Sequence, residues 1–320
     1  MKRRQFVKTA ALAAPMLALF PADLSSLVRQ KEPGKIEKRS LGRTGAMLSV
    51  LGFSGLAMRD VTPEEASEAV KLAIGYGVNY FDVAPSYGNA EIMLGPALEP
   101  FRREVFLSCK TGRRTKSESR EELERSLERM RTDHFDLYQF HNVARMNEVD
   151  AITGPDGALE TFIEARKEGK IRHIGFSAHT VEAAMALMDR FDFDTIMFPV
   201  NLASWHAGNF GPQVLDMAHR KNMGILALKA MARGPWPKEA DRSAWSRCWY
   251  EPLTDPVEAR MGLRFTLSHP VTSAMPPGDT RLISLALSQA DRLEPLAAKE
   301  IGELKTKGQK TNPLFRYEGS

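Results

Sequence analysis

Apolar runs recur eight times along the chain, near residues 48–53, 78–83, 105–110, 136–141, 171–176, 195–200, 224–228 and 272–275, and segments of helical periodicity separate them. In "SREELERSLERMRT", Leu123, Leu127 and Met130 stand four and three apart with charges between them, the spacing of one apolar helix face. Ser119 with Glu122 three residues on predicts the cap of that helix. "TVEAAMALMDRF" repeats the pattern. Strand–helix alternation predicts a parallel sheet, and eight units predict its closure into a (β/α)8 TIM barrel of the α/β class. The 320 residues accommodate one such barrel, which takes ~250. A doubly wound open sheet is the alternative. It carries a G-x-G-x-x-G turn after its first strand, and "GFSGLAM" lacks that spacing.

A barrel gathers the C-terminal ends of its strands at one mouth, where sites are built. Asp82 ends the second run in "NYFDVAPSYG", and Tyr87 lies in the loop after it. Lys110 ends the third in "VFLSCKTG", and His141 ends the fourth in "DLYQFHN". Each alone has an ordinary reading: a turn aspartate, a rim tyrosine, a lysine reaching for water, a structural histidine. Together they place an acid, a phenol, an amine and an imidazole on three consecutive strands. A free phenol, with a pKa of about 10, is a weak proton donor at neutral pH. A nearby ammonium lowers that value, so Lys110 is expected to draw Tyr87 down. Asp82 would hold Lys110 as an ion pair, and His141 would orient a carbonyl oxygen. Such a site protonates an oxygen while hydride reaches its carbon.

The interval between the seventh and eighth runs is the longest, and within it residues 232–256 hold Trp236, Trp245, Trp249 and Tyr250. Trp205 follows the sixth run, so every tryptophan falls just beyond a strand end. Trp205, Trp249 and Tyr250 are the expected substrate contacts, their rings suiting the apolar faces of a sugar.

Composition excludes several classes. Cys109 and Cys248 are the only cysteines, too few for a disulfide framework or a four-cysteine cluster, and Cys109 is expected to be inert and buried. No metal site is expected. The net charge of +4 is small, and no Lys/Arg tract outside the N-terminus points to nucleic acid. A barrel hydrolase needs paired carboxylates, and Asp82 has no such partner at the third or fourth strand end.

The N-terminus reads "MKRRQFVKTAALAAPMLALFPADLSS". Arg3 and Arg4 precede Phe6 and Lys8, and an apolar stretch of about eleven residues follows, too short for a confident span. The paired arginines resemble a twin-arginine signal. That resemblance implies export to the periplasm in a folded state, with the export machinery as partner and membrane contact only in transit. Residues 1–35 are taken as signal and linker, and residues 36–320 as the barrel. No A-x-A cleavage site is clear, and a polar linker is expected over 27–40.

"FDVAPSYG", "SCKTG" and "QFHN", in that order and spacing, resemble the aldo-keto reductase superfamily. "SLGRTGAMLSVLGFSG", "NAEIMLGPAL" and "RKEGKIRHIGFSAH" extend the resemblance over about residues 38–300. It implies the barrel, reversible carbonyl reduction with NADP(H), and a catalytic tetrad of Asp82, Tyr87, Lys110 and His141 with Tyr87 as acid–base. It places Gly55, Leu56, Ser177 and Asn201 at the cofactor, with Leu228, Lys229, Ala230 and Met231 in the loop under the pyrophosphate and Gly278 and Arg281 toward the 2′-phosphate. Ala178, Met197, Leu287 and Ser288 depart from the family pattern, which puts NADP over NAD in question. The implied substrate is a small-molecule carbonyl or hydroxyl compound, sugars included. Two other readings stand beside it: a redox-neutral enzyme with tightly held nucleotide, and a non-catalytic carbohydrate-binding barrel. The intact tetrad favours catalysis.

Overall fold

The computed structural model describes residues 29–30 and 35–319; the expected signal lies outside them. Eight parallel strands run in consecutive order: Phe53–Ser54, Tyr80–Asp82, Phe106–Thr111, Phe135–Val143, Ile171–Ala178, Thr195–Pro199, Gly224–Leu228 and Ser273–Ala274. The eighth meets the first through a parallel bridge between Leu51 and Ala274. There the Gly52 N–H donates to the Ala274 carbonyl (3.1 Å) and the Ala274 N–H to the Val50 carbonyl (2.8 Å). The sheet is therefore the closed (β/α)8 barrel. Among the described residues no helix is long and apolar enough to cross a membrane.

Alternation along the strands sorts side chains between two cores. Phe81, Leu107, Cys109, Tyr138 and Phe140 join the large core between strands and helices. Tyr80, Phe106, Leu137, Met197, Leu226 and Met275 form a second cluster inside the barrel, closed below by Leu41 and Leu48. Two residues further along the same inward rows stand Asp82, Ser108 and Gln139, and then Lys110 and His141. The barrel interior thus changes from apolar to polar toward the strands' C-terminal ends.

Three expectations at the edges need correction. Met47–Ser49 is not barrel strand; it pairs antiparallel with Lys38–Ser40, which pairs in turn with Arg29–Gln30. The expected linker is therefore partly structure. Arg39 is buried and donates to the Leu267 (2.9 Å) and Val271 (3.2 Å) carbonyls. Finally, the helix expected to begin at Ser119 spans Lys116–Arg129. Thr115, which precedes it, bridges to Gly157, so the helix starts a turn early. Glu122 turns inward instead, accepting from the Thr111 hydroxyl (2.6 Å) and the Gly112 N–H (3.1 Å) at the end of the third strand.

Candidate active site

Asp82 and Lys110 point inward from neighbouring strands, in a register that pairs Asp82 with Ser108 and Lys110 with Gln139. Both are nearly fully buried, at 2% and 1% exposure. The Lys110 ammonium is ion-paired to Asp82 Oδ2. The second carboxylate oxygen accepts from Ser108 Oγ (3.1 Å) and Gln139 Nε2 (3.3 Å). A buried ion pair persists where its remaining hydrogen-bonding capacity is satisfied, and these groups satisfy it.

Tyr87 leaves the second strand through a turn in which its N–H donates to the Ala84 carbonyl at 3.0 Å. Its hydroxyl lies 3.4 Å from Lys110 Nζ, and its ring meets the His141 ring edge-on at 5.6 Å. His141 Nδ1 stands 3.1 Å from the Ser86 hydroxyl. Its other ring nitrogen makes no hydrogen bond among the described residues. The strand carrying His141 shifts register between Phe140 and Val143, with Asn142 in the left-handed region at φ 55°. Asparagine tolerates that conformation better than most residues with a Cβ. Around this bend Asn142 N–H donates to Ser177 Oγ (2.8 Å), and Arg114 donates to the His141 carbonyl (2.7 Å). The backbone that carries the imidazole is thus held from both flanks.

The electrostatics assign proton states. Burial pushes the Tyr87 phenol above its ordinary value, and Lys110 offsets only part of that. The expected net lowering does not occur, because desolvation outweighs the ammonium. Burial alone would lower Lys110, but Asp82 and then Tyr87 more than restore it, so the ammonium stays charged. His141 is held well below its usual range by burial, with Lys110, His179, Arg114 and Lys229 adding to the effect. At neutral pH the constellation is a protonated phenol beside an ammonium and a neutral imidazole.

The expected cofactor residues line the same mouth. Ser177, next to last in the fifth strand, accepts from the Asn142 N–H. Asn201 caps Leu202–His206 by accepting from the Ser204 N–H (3.0 Å), which leaves its buried Nδ2 without a partner. A Cβ at Gly55 would fall 2.6 Å from the Asp82 carbonyl, and one at Gly278 2.5 Å from Leu56 Cγ, so the loops after the first and eighth strands touch where only glycine fits. Leu228 ends the seventh strand, Ala230 and Met231 are buried behind it, and Lys229 stands between them at φ 67°. Arg281 lies over Trp245 (4.1 Å), donates to the Ala244 carbonyl (2.6 Å) and pairs with Asp279 (2.8 Å). Beside it runs a groove of about 810 Å³ between Pro63–Tyr76 and Thr280–Leu287. Arg247 donates to the Ala57 carbonyl (3.0 Å), tying the loop after the seventh strand to the turn after the first.

Trp249 and Tyr250 flank Lys229, with the Nζ 5.1 Å and 4.6 Å from their ring centres. Trp205 does not join them. Its ring packs on buried His269 (4.0 Å) and Phe265 (6.4 Å), and a Cβ at Gly211 would lie 3.0 Å from it. The sequence reading missed Ser86, Ser108, Arg114, Gln139, Asn142 and His179. Ser108 and Gln139 were within reach, because each stands two residues before a tetrad member and so shares its face. Among the described residues no three His, Cys, Asp or Glu side chains cluster as metal ligands would.

The model of the Aldo/keto reductase family matches residues 50–247, more than half of the chain. L-Galactose dehydrogenase of Arabidopsis thaliana is 28% identical over 218 residues, 62% of this chain and 67% of that protein. Such matches span about two thirds of the relatives' own length. Among solved structures, the holo form of the aldo-keto reductase AKR11C1 from Bacillus halodurans superposes with a TM-score of 0.69 at 22% identity, covering 88% of this chain and 98% of that one. An aldo-keto reductase from Klebsiella pneumoniae in complex with NADPH gives 0.66 at 19% identity, with the same coverages. The chain belongs to the aldo/keto reductase family of oxidoreductase enzymes.

Proposed function

We propose that the protein interconverts a carbonyl and a hydroxyl of a small molecule with NADP(H), and that Tyr87 passes the proton. The observation that carries this reading is the phenol 3.4 Å from the Lys110 ammonium and edge-on to a neutral His141. The residues present fit a nicotinamide dinucleotide: the buried Asn201 Nδ2, a donor among the expected cofactor residues, lacks a partner. Gly55, Leu56, Ser177, Asn201, Leu228, Ala230, Met231, Gly278 and Arg281 would hold it, and when bound it would supply or take up hydride. His141 orients the carbonyl oxygen, Tyr87 donates its proton, and Lys110 stabilises the negative charge left on the phenol. The NADPH-bound relative supports the cofactor and the galactose-oxidising relative supports a sugar. The paired arginines support export with the nucleotide already loaded, and the Arg247–Ala57 hydrogen bond supports a slow release.

The test uses the exported protein, dialysed without added nucleotide and then denatured. Close to one nicotinamide dinucleotide per chain is expected in the supernatant. Refilled enzyme should consume NADPH on addition of aldehydes or ketoses, followed by absorbance. Empty protein that neither binds nor oxidises NADPH or NADH defeats the reading.

A further inference from the structure

Lys229 is oddly placed for a lysine. It follows the seventh strand with φ 67°, a region residues bearing a Cβ seldom adopt and one that collects at functional sites. Its ammonium sits against the Tyr250 and Trp249 rings at 4.6 and 5.1 Å. Among the described residues it has no ion pair and no hydrogen bond. Burial draws its pKa down to about 8. Cation–π contact offsets part of the desolvation of a charge but does not replace a counter-ion.

The surroundings complete a box. The ring of His179 faces Phe315 (5.7 Å), Phe315 faces Trp249 (6.0 Å), and Trp249 faces Tyr250 (5.4 Å). Phe315 is held there by the C-terminal segment, whose Phe315 N–H donates to Ser204 Oγ (3.3 Å) and Tyr317 N–H to the Gly208 carbonyl (2.8 Å). His179 Nδ1 is buried without a partner. The charge of Lys229 adds to burial in keeping both His179 and His141 neutral. The carboxylate nearest the reaction, Asp82, is committed to Lys110.

We propose that Lys229, between Trp249 and Tyr250 and beside His179, anchors a carboxylate on the substrate, so that the preferred carbonyl compounds are acids such as sugar acids or oxo acids. This rests on the reading of the site as a carbonyl reductase. A carboxylate supplies the counter-charge the box lacks, in a charge-assisted contact between buried Tyr250 and the more exposed Trp249. A neutral sugar supplies neither. The family resemblance puts Lys229 in the loop under the pyrophosphate, so the nucleotide's own phosphates are the competing source of negative charge. Arg247, tied to Ala57 beside the first strand, and Arg281, on the eighth-strand side, stand at the opposite edge of the mouth from His141 and His179.

The test compares matched pairs, glucuronate with glucose and succinic semialdehyde with butyraldehyde, on wild type, Lys229→Met and Lys229→Arg. Wild type should favour the acid in kcat/KM by roughly tenfold or more, carried mainly by KM. Lys229→Met should bring the ratio close to one, and Lys229→Arg, which keeps the charge, should retain most of it. Titration of malonate against intrinsic tryptophan fluorescence gives a readout without turnover: a saturable change in wild type and Lys229→Arg, and none in Lys229→Met. No acid preference together with no malonate response overturns the anchor. A Lys229→Met protein whose NADPH dissociation constant rises as much as its acid KM also overturns it, assigning Lys229 to the nucleotide. An enzyme that turns over no carbonyl compound yet binds malonate through Lys229 fails the functional reading alone.

Discussion

Tyr87→Phe should lower kcat by roughly two orders of magnitude or more and leave the NADPH dissociation constant within about twofold. The substitution removes one oxygen from a partly buried ring whose edge contact with His141 and packing remain. What it takes away is the proton and the atom that shares charge with Lys110. Because burial keeps the phenol above its ordinary pKa, wild type should hold its reductive activity well into alkaline pH before the proton is lost. Steady-state turnover and nucleotide-fluorescence titration check both parts. A phenylalanine variant with near-wild-type turnover would remove Tyr87 from the proton's path.

The second large effect concerns the pair beneath it. Lys110→Met strands the Asp82 carboxylate among Ser108 and Gln139 with no cation, and Asp82→Asn strands the ammonium. Each single change should cost about 3–5 kcal/mol of stability, because an uncompensated charge stays buried. The double variant Asp82→Asn/Lys110→Met should lose less than the sum, by about 1–3 kcal/mol, since no charge is left stranded. Denaturant unfolding of the three variants measures this, and strict additivity would deny the coupling. The pH dependence follows from Lys110. Its folded-state pKa is raised, so its stabilisation is complete below the ordinary lysine value and fades only as pH climbs through the raised one.

The barrel and its charged end were legible because both rest on period. Strand alternation fixes which residues share a face, so Asp82, Lys110 and His141 at the ends of apolar runs had to meet near one mouth. Tyr87 lies in a loop, where period carries no information, and it was connected to the others by the chemistry of a phenol beside an ammonium and by the resemblance to a family. The first strand was misplaced because 47–54 is apolar almost throughout, and nothing local says that Met47–Ser49 turns away to pair antiparallel with Lys38–Ser40. Trp205 was misassigned because an aromatic after a strand has two destinations. Gly211 and His269, which open and line the inner one, are far from it in sequence or silent about contact. The sign of the Tyr87 shift is a contest between burial and a neighbouring charge, and burial cannot be read from residue type.

The seam of the barrel carries a mechanical consequence. The fourth and fifth strands run for nine and eight residues, whereas the eighth and first have two each and are joined through Leu51 and Ala274. Resistance to local opening is therefore uneven around the ring, and amide exchange with solvent should begin at Gly52 and Ala274 long before it reaches Tyr138 or Phe176. Leu56 against Gly278 and Arg247 against Ala57 lie at this same line. A molecule bridging the two loops would act as a staple across the softest part of the wall, and its grip would be felt first as slower exchange there. The cylinder should be most compliant beside the groove between Pro63–Tyr76 and Thr280–Leu287, and stiffest under His141, on the long fourth strand.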